Sequence, residues 1–134
     1  MKLRIRKARK NPAPFHDGMH EEKARLHVTC GECSHDFDEN LLSCLAEGEK
    51  WFRSLMERDQ QQVAEQFGYT YEVVGPKAIP CISLKNNRRA YLINLSCPVC
   101  NTLTLAAVDF YEMQPARYIA KLVGLAQVEK NVFT

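Results

Sequence analysis

The chain has 134 residues, of which 46% are hydrophobic and 25% are charged, and its formal net charge is +2. This length suits one domain with a modest core of its own, and the composition is ordinary for a globular protein. We expect a cytoplasmic protein without a membrane segment, because no apolar run reaches the roughly 20 residues of a membrane helix and no signal peptide follows the basic start.

The first ten residues carry six basic side chains and no acidic one. The rest of the chain then holds 12 basic and 16 acidic residues, a net charge of −4. Prolines at positions 12 and 14 interrupt regular structure just beyond this segment, because proline lacks a backbone donor. We predict a basic N-terminal arm or edge strand over residues 1–14 and a single domain over residues 15–134. Residues 15–23 read as a loop or a short helix.

The longest helical pattern of the chain lies in its middle. Asp36 and Glu39 resemble a capping box, and apolar residues then recur at helical spacing as far as Phe67. Gly48 is placed to divide or kink this helix, and Gly68 is placed to end it.

Strands are predicted over most of the second half, which is rich in β-branched and aromatic residues. They cover residues 69–74, 79–84, 89–96 and 102–111, with turns at Gly75-Pro76 and Asn86-Asn87. Beyond them, Pro115 suits the first turn of a helix. Apolar residues at positions 119, 122, 123 and 126 then predict a C-terminal helix.

Two C-x-x-C motifs, one at residues 30–33 and one at residues 97–100, each follow an extended apolar run. Such a motif curls the backbone so that both sulfurs point at one centre, and two motifs supply the four thiolates of a tetrahedral Zn²⁺ site. A thioredoxin-type redox pair is disfavoured because a predicted strand, not a helix, follows the second motif. A disulfide framework is disfavoured because cytosolic thiols stay reduced. We predict one structural Zn²⁺ bound by Cys30, Cys33, Cys97 and Cys100.

The strand–C-x-x-C–strand unit around Cys97 and Cys100 resembles the zinc-bearing hairpin of the zinc-ribbon fold group, and Cys30 and Cys33 match its other two ligands. The resemblance implies an antiparallel sheet built around a structural zinc. The 63 residues between the two motifs exceed the spacing of a minimal ribbon and imply a helix-containing insertion. We therefore predict an α+β fold: a zinc-ribbon-like antiparallel sheet, a helical insertion between the motifs and a C-terminal helix.

Known catalytic signatures are missing from the sequence, which has no G-x-S-x-G, no P-loop, no H-E-x-x-H and no dinucleotide fingerprint. His20, Glu22 and the first C-x-x-C resemble the H-x-E and C-x-x-C parts of the zinc-deaminase signature, but no proline precedes Cys30 or Cys97. Four cysteine ligands also leave zinc no open coordination position. We expect no enzyme activity and no small-molecule substrate.

Two binding functions remain open. In the first and favoured one, a cationic surface contacts the phosphates of a nucleic acid, and exposed tyrosines at positions 69, 71 and 91 add base stacking. The basic residues of this surface are Lys2, Arg4, Arg6, Lys7, Arg9, Lys10, Arg88 and Arg89.

In the second, the chain is a protein-binding adaptor or inhibitor. Its contact surface is then the amphipathic helix over residues 47–65 or the C-terminal helix, with Trp51 and Phe52 as candidate anchors.

Overall fold

Antiparallel strands make up most of the structure, a computed structural model that describes residues 1–6, 15–17, 25–115 and 117–129. The mixture of strands and helices agrees with the predicted α+β class. The described elements are β1 (Leu3–Arg6), β2 (Phe15–Asp17), β3 (Arg25–Thr29), β4 (Asp36–Asn40), α1 (Leu41–Ser54), α2 (Glu57–Phe67), β5 (Thr70–Val74), β6 (Ile79–Ser83), β7 (Ala90–Ser96), β8 (Leu103–Gln114) and β9 (Arg117–Val128).

The main sheet has the strand order β1–β9–β8–β7, and β2 also pairs with β9. All its pairings are antiparallel. β1 pairs with the C-terminal part of β9, from Leu125 to Val128, whereas β2 pairs with the N-terminal part, from Arg117 to Ile119. Two further pairs, β3–β4 and β5–β6, form small sheets of their own.

Hydrophobic side chains are buried on both faces of the main sheet, because successive residues of a strand point to opposite faces. One core joins the sheet to α2 and β6 and contains Leu3, Phe52, Val63, Ala64, Ile82, Leu84, Ala90, Leu92, Leu105, Ala107 and Ala126. The other joins the sheet to β3 and contains Leu26, Val28, Leu41, Ile93, Leu95, Ala106, Val108, Ala120 and Leu125. The main sheet is therefore the middle layer of the molecule.

Helix α1 connects the two cores by passing over β7, the last strand in the sheet order. Leu41 at its start belongs to one core, and Phe52 near its end belongs to the other. Between them, a Cβ atom at Gly48 would collide with the carbonyl oxygen of Leu92 and would lie 3.0 Å from the Cα of Ile93. Glycine at position 48 therefore lets the helix backbone contact the strand backbone directly.

The helical insertion between the two C-x-x-C motifs is present as α1 and α2. The predicted capping box is wrong, because Asp36 lies in β4 and the Asn40 side chain accepts the capping hydrogen bond from Ser43 N–H at 3.0 Å. The helices separate at Met56, not at Gly48. Gly68 ends α2 in the left-handed conformation, with φ of 79°, as predicted.

The predicted C-terminal helix is also wrong, because Arg117–Val128 forms strand β9. This strand has neighbours on both sides and is apolar on both faces, so its sequence lacks the alternation of a half-buried strand. A β-bulge also disturbs the alternation. Gly124 pairs with Ala107 and Leu122 pairs with Val108, so Val123 has no counterpart in β8. The combined pattern imitates the spacing of a helix.

The N-terminal strand β1 is one of the two forms predicted for residues 1–14, and residues 7–14 lie outside the described part of the chain. Residues 15–17, predicted as part of a loop or short helix, form β2. The division of the chain at residue 14 stays a prediction. Within the described residues, no helix is long and apolar enough to cross a membrane.

We expect Leu3 to anchor β1, since its side chain is 7% exposed and its N–H donates to Gln66 Oε1 at 2.7 Å. Leu3→Ala should lower the free energy of unfolding by about 2–4 kcal/mol, because it leaves a cavity in a packed core. Ile5→Ala is the matched control, because Ile5 lies in the same strand and is 50% exposed. This substitution should lower the free energy of unfolding by less than about 1 kcal/mol. Urea denaturation measures both, and equal losses would contradict this account of β1.

Candidate metal centre

Residues 30–33, the first knuckle, follow β3 and turn back into β4. The Ser34 N–H donates to the Cys30 carbonyl at 3.0 Å, and the Cys30 N–H donates to the His35 carbonyl at 2.9 Å. Ser34 has a φ of 63°, which reverses the chain just after the second cysteine. These bonds place both cysteines on the inside of a tight turn.

Residues 97–100, the second knuckle, join β7 to β8 with the same arrangement. The Asn101 N–H donates to the Cys97 carbonyl at 2.9 Å, and the Cys97 N–H donates to the Thr102 carbonyl at 3.0 Å. Asn101 also has a φ of 63°. The two knuckles are therefore folded by equivalent hydrogen bonds and equivalent left-handed residues.

The structure brings the four knuckle cysteines together. Their Sγ atoms all lie within 4.8 Å of one another, with 3.5 Å between Cys30 and Cys100 and 3.5 Å between Cys33 and Cys97. Each close pair joins one knuckle to the other. The cluster is an arrangement that could hold one metal ion, and it uses all four cysteines that the sequence predicts as ligands.

One side of the cysteine cluster is closed and the other is open. Cys30 and Cys97 are buried, with 1% and 2% exposure, whereas Cys33 is exposed. Cys100 is half-buried and lines a groove of about 500 Å³, which Thr102 and the end of β9 also line. Any metal held here lies near the surface.

The thiols of the cluster differ in acidity. The Thr102 hydroxyl, 3.1 Å from Cys100 Sγ, stabilises the thiolate and, together with the Thr102 backbone, lowers the pKa of Cys100 to about 6. A backbone hydrogen bond from His35 acts to lower the pKa of Cys33, but desolvation and hydrogen bonds with the other thiols raise it to about 12. Binding of a metal therefore requires the loss of protons from the cluster.

The first knuckle also packs against strands β1 and β9. Arg6 Nη1 donates to the Thr29 carbonyl at 3.1 Å, and Gln127 Nε2 donates to the Glu32 carboxylate at 3.0 Å. A Cβ atom at Gly31 would lie 2.7 Å from both Arg6 Nη1 and Gln127 Oε1. The glycine inside the motif therefore makes room for both side chains, a role that the local sequence does not predict.

Lys2 and Arg4, two of the predicted phosphate contacts, lie at the exposed edge of the main sheet. Their side chains are 81% and 59% exposed, and they lie 3.6 Å and 3.4 Å from the Glu129 carboxylate. Arg6 contacts the first knuckle instead. The remaining residues of this group, Lys7, Arg9 and Lys10, lie outside the described part of the chain.

Arg88 and Arg89 precede β7, at the opposite edge of the sheet from β1. Arg88 binds Asp109 with Nε–Oδ1 and Nη2–Oδ2 distances of 2.9 and 2.6 Å, and its guanidinium lies 4.1 Å from the Tyr111 ring centre. Arg89 Nη2 lies 2.5 Å from Glu49 Oε1. Both arginines therefore have an acidic partner that ties the start of β7 to a neighbouring element.

The aromatic residues considered for binding pack largely against the core. Tyr69 stacks on Phe67 with 5.4 Å between ring centres, and the Tyr71 hydroxyl donates to Gln60 Oε1 at 2.7 Å. Burial raises the pKa of Tyr69. Trp51 is partly buried against the same core.

Comparisons of the chain with protein-family models, with curated proteins and with solved structures found no match. Its function is therefore inferred from its own residues and their geometry.

We expect the Asp109 carboxylate to stabilise the fold in a pH-dependent way. Its side chain is 3% exposed, and hydrogen bonds from Arg88 and then Asn86 hold its pKa below the ordinary value. Since the folded pKa is lower than the unfolded one of about 3.9, the stabilisation is complete above that pH and is lost as the pH falls through the folded value.

Asp109→Asn should therefore lower the free energy of unfolding by about 1–3 kcal/mol at pH 7, and the difference from wild type should shrink below about pH 4. Glu72→Gln, at an exposed carboxylate of β5, is the control with little effect. Urea denaturation from pH 3 to pH 7 measures this, and a pH-independent difference would show that the charge is not responsible.

Proposed function

We propose that the chain is a non-catalytic cytoplasmic binding module that folds around one structural zinc ion. The observation that carries the proposal is the convergence of Cys30, Cys33, Cys97 and Cys100, two pairs separated by 63 residues of sequence. A tetrahedral zinc with Zn–S bonds of about 2.3 Å has its sulfurs about 3.8 Å apart. The sulfurs here, with two pairs at 3.5 Å and none beyond 4.8 Å, lie close enough together to be compatible with one such ion.

The ligand set supports a structural metal, because four thiolates fill the tetrahedral positions and leave none for water or substrate. Thiolates select zinc or iron among the common metals, and the cytoplasm keeps such thiols reduced. A metal at this place would connect the β3–β4 hairpin to β7 and β8. It would also close the long loop that contains both helices, and loop closure adds stability.

We expect protein purified without added metal to contain about one zinc per chain, measured by elemental analysis, which also separates zinc from iron. Cys97→Ser should lose the metal and unfold at a much lower temperature, because the metal's binding free energy is part of the folding free energy. Cys44→Ala is the matched control, because Cys44 is half-buried against the core that contains the β3 residues. This substitution should lower the free energy of unfolding by only about 1 kcal/mol.

Thermal melts of both variants decide the ligand assignment. Greater damage from Cys44→Ala than from Cys97→Ser would mean that the ligand set is wrong. A metal-free wild-type protein with an unchanged melting temperature would overturn the zinc proposal.

We further infer that the binding partner is a nucleic acid. The support is the concentration of positive charge at the N-terminal edge of the sheet, where Lys2 and Arg4 are exposed and Lys7, Arg9 and Lys10 follow in sequence. Glu129 pairs with Lys2 and Arg4, but exposed ion pairs contribute little to stability. Phosphate groups would therefore replace the Glu129 carboxylate with only a small loss of free energy. Arg88 and Arg89 contribute less to such a surface because their acidic partners are more buried than the arginines themselves.

A protein partner is the second candidate, and a different group of residues supports it. The apolar face of α1 is used in the core, as Phe52 with 7% exposure illustrates. Exposed apolar side chains occur instead at Met56, between the helices, and at Val73 and Val74 of β5. These positions are where an adaptor would contact another protein.

We expect the double variant Lys2→Ala/Arg4→Ala to weaken binding to labelled duplex DNA or single-stranded RNA, measured by fluorescence anisotropy between 50 and 200 mM salt. Loss of two phosphate contacts should reduce the slope of log affinity against log salt by about 2 for duplex DNA. Lys50→Ala/Lys77→Ala, at two exposed lysines elsewhere, is the matched control and should change the slope little. Absence of binding by the wild-type protein at low salt would reject the nucleic-acid proposal in favour of a protein partner.

A further inference from the structure

Arg6 connects the N-terminal strand to the first knuckle. Its Nη1 donates to the carbonyl of Thr29, the residue just before Cys30, at 3.1 Å. The same guanidinium lies where a side chain on Gly31 would otherwise be, with Nη1 and Cζ at 2.7 and 2.9 Å from that position. The basic N-terminal sequence predicts Arg6 as a phosphate contact, but the Arg6 guanidinium lies against the first knuckle, which carries two of the four sulfurs.

The negative charge of the proposed metal centre explains why a cation, Arg6, would lie against the first knuckle. Four thiolates around a divalent ion leave a net charge of −2, and two of the sulfurs, those of Cys30 and Cys97, lie in buried residues. Negative charge with little access to water needs nearby cations or hydrogen-bond donors. A guanidinium packed on the knuckle backbone provides a cation and holds the motif in position.

We propose that Arg6 is a positioning residue of the metal centre, which offsets the negative charge of the four thiolates and couples metal binding to the docking of β1. This inference rests on the proposed binding of zinc. Gln127 of β9 assists from the other side, since it is 5% exposed and donates to Glu32 of the knuckle. Arg6 and Gln127 come from neighbouring strands, because Arg6 pairs with Leu125 in the sheet.

The coupling acts in both directions, as thermodynamic linkage requires. If docked β1 favours the metal-bound knuckle, bound metal favours docked β1 by the same factor. The backbone amides of Leu3–Arg6 should therefore report on the metal centre, although none of these residues supplies a ligand. Zinc would in this way stabilise the strand that carries Lys2 and Arg4 at its start.

The experiment compares zinc-loaded wild type with Arg6→Ala, Gly31→Ala and Arg6→Lys. Zinc affinity is measured by competition with a chromophoric chelator. Arg6→Ala should weaken it about tenfold, the usual loss when a residue supporting a metal ligand is removed. Gly31→Ala should act in the same direction, because its methyl group displaces the ends of Arg6 and Gln127 without requiring a backbone shift. Arg6→Lys keeps the charge and should recover most of the affinity.

Ile5→Ala is the matched control, since Ile5 lies next to Arg6 in the same strand but is 50% exposed. Its zinc affinity should stay within about twofold of wild type, as no support of a ligand is lost. Hydrogen exchange of the zinc-loaded proteins gives an independent measurement: residues 3–6 should exchange faster in Arg6→Ala than in Ile5→Ala.

The outcomes separate this inference from the proposed function. A wild-type protein that binds no zinc overturns both. Zinc binding that is equally tight in wild type and Arg6→Ala, with equal exchange of residues 3–6, overturns only the role of Arg6. If Arg6→Lys binds zinc as weakly as Arg6→Ala does, the positive charge of residue 6 is not what supports the metal centre.

Discussion

The convergence of two cysteine motifs on one cluster is the constraint on which the rest of the structure depends. The motifs are 63 residues apart, yet their four sulfurs lie within 4.8 Å of one another. One motif joins β3 to β4 and the other joins β7 to β8, so the β3–β4 hairpin must lie against one face of the main sheet. Leu26 and Val28 of the hairpin pack with Ile93 of β7 in a buried core. The sulfur cluster and this core therefore hold the same hairpin in place, and α2 and β6 cover the opposite face.

Local patterns predict the local features of this structure. The two-residue spacing inside each C-x-x-C motif is a property of a few neighbouring residues, so the four clustered cysteines can be recognised from sequence, and so can the helices between the motifs. The boundary of α1 depends on more than local pattern. Asp36 and Asn40 are both good capping residues, but Asp36 accepts a hydrogen bond from Thr29 across the β3–β4 hairpin, and Asn40 is left to cap the helix. Strand pairing decides between them.

Features that depend on distant partners were not predictable in this way. Strand β9 pairs with β8 on one side and with β1 and β2 on the other, so its residues are apolar on both faces and imitate a helix. The role of Gly31 has the same origin, because it concerns two side chains, Arg6 and Gln127, from opposite ends of the chain. A glycine inside a C-x-x-C motif is the local sign of such an approach, but it does not identify what approaches.

The burial of each acidic partner decides which basic residues remain open to a ligand. Asp109 is 3% exposed, so moving Arg88 to a phosphate would leave a buried carboxylate unpaired, which is costly. Glu129 is 28% exposed and its partners Lys2 and Arg4 are far more exposed, so water compensates that pair when it breaks. Among the predicted phosphate contacts that the structure describes, Lys2 and Arg4 are therefore more open to a phosphate than Arg88. Because Arg6, in the same strand as Arg4, contacts the first knuckle, the four residues of β1 connect the cysteine cluster to this candidate binding surface.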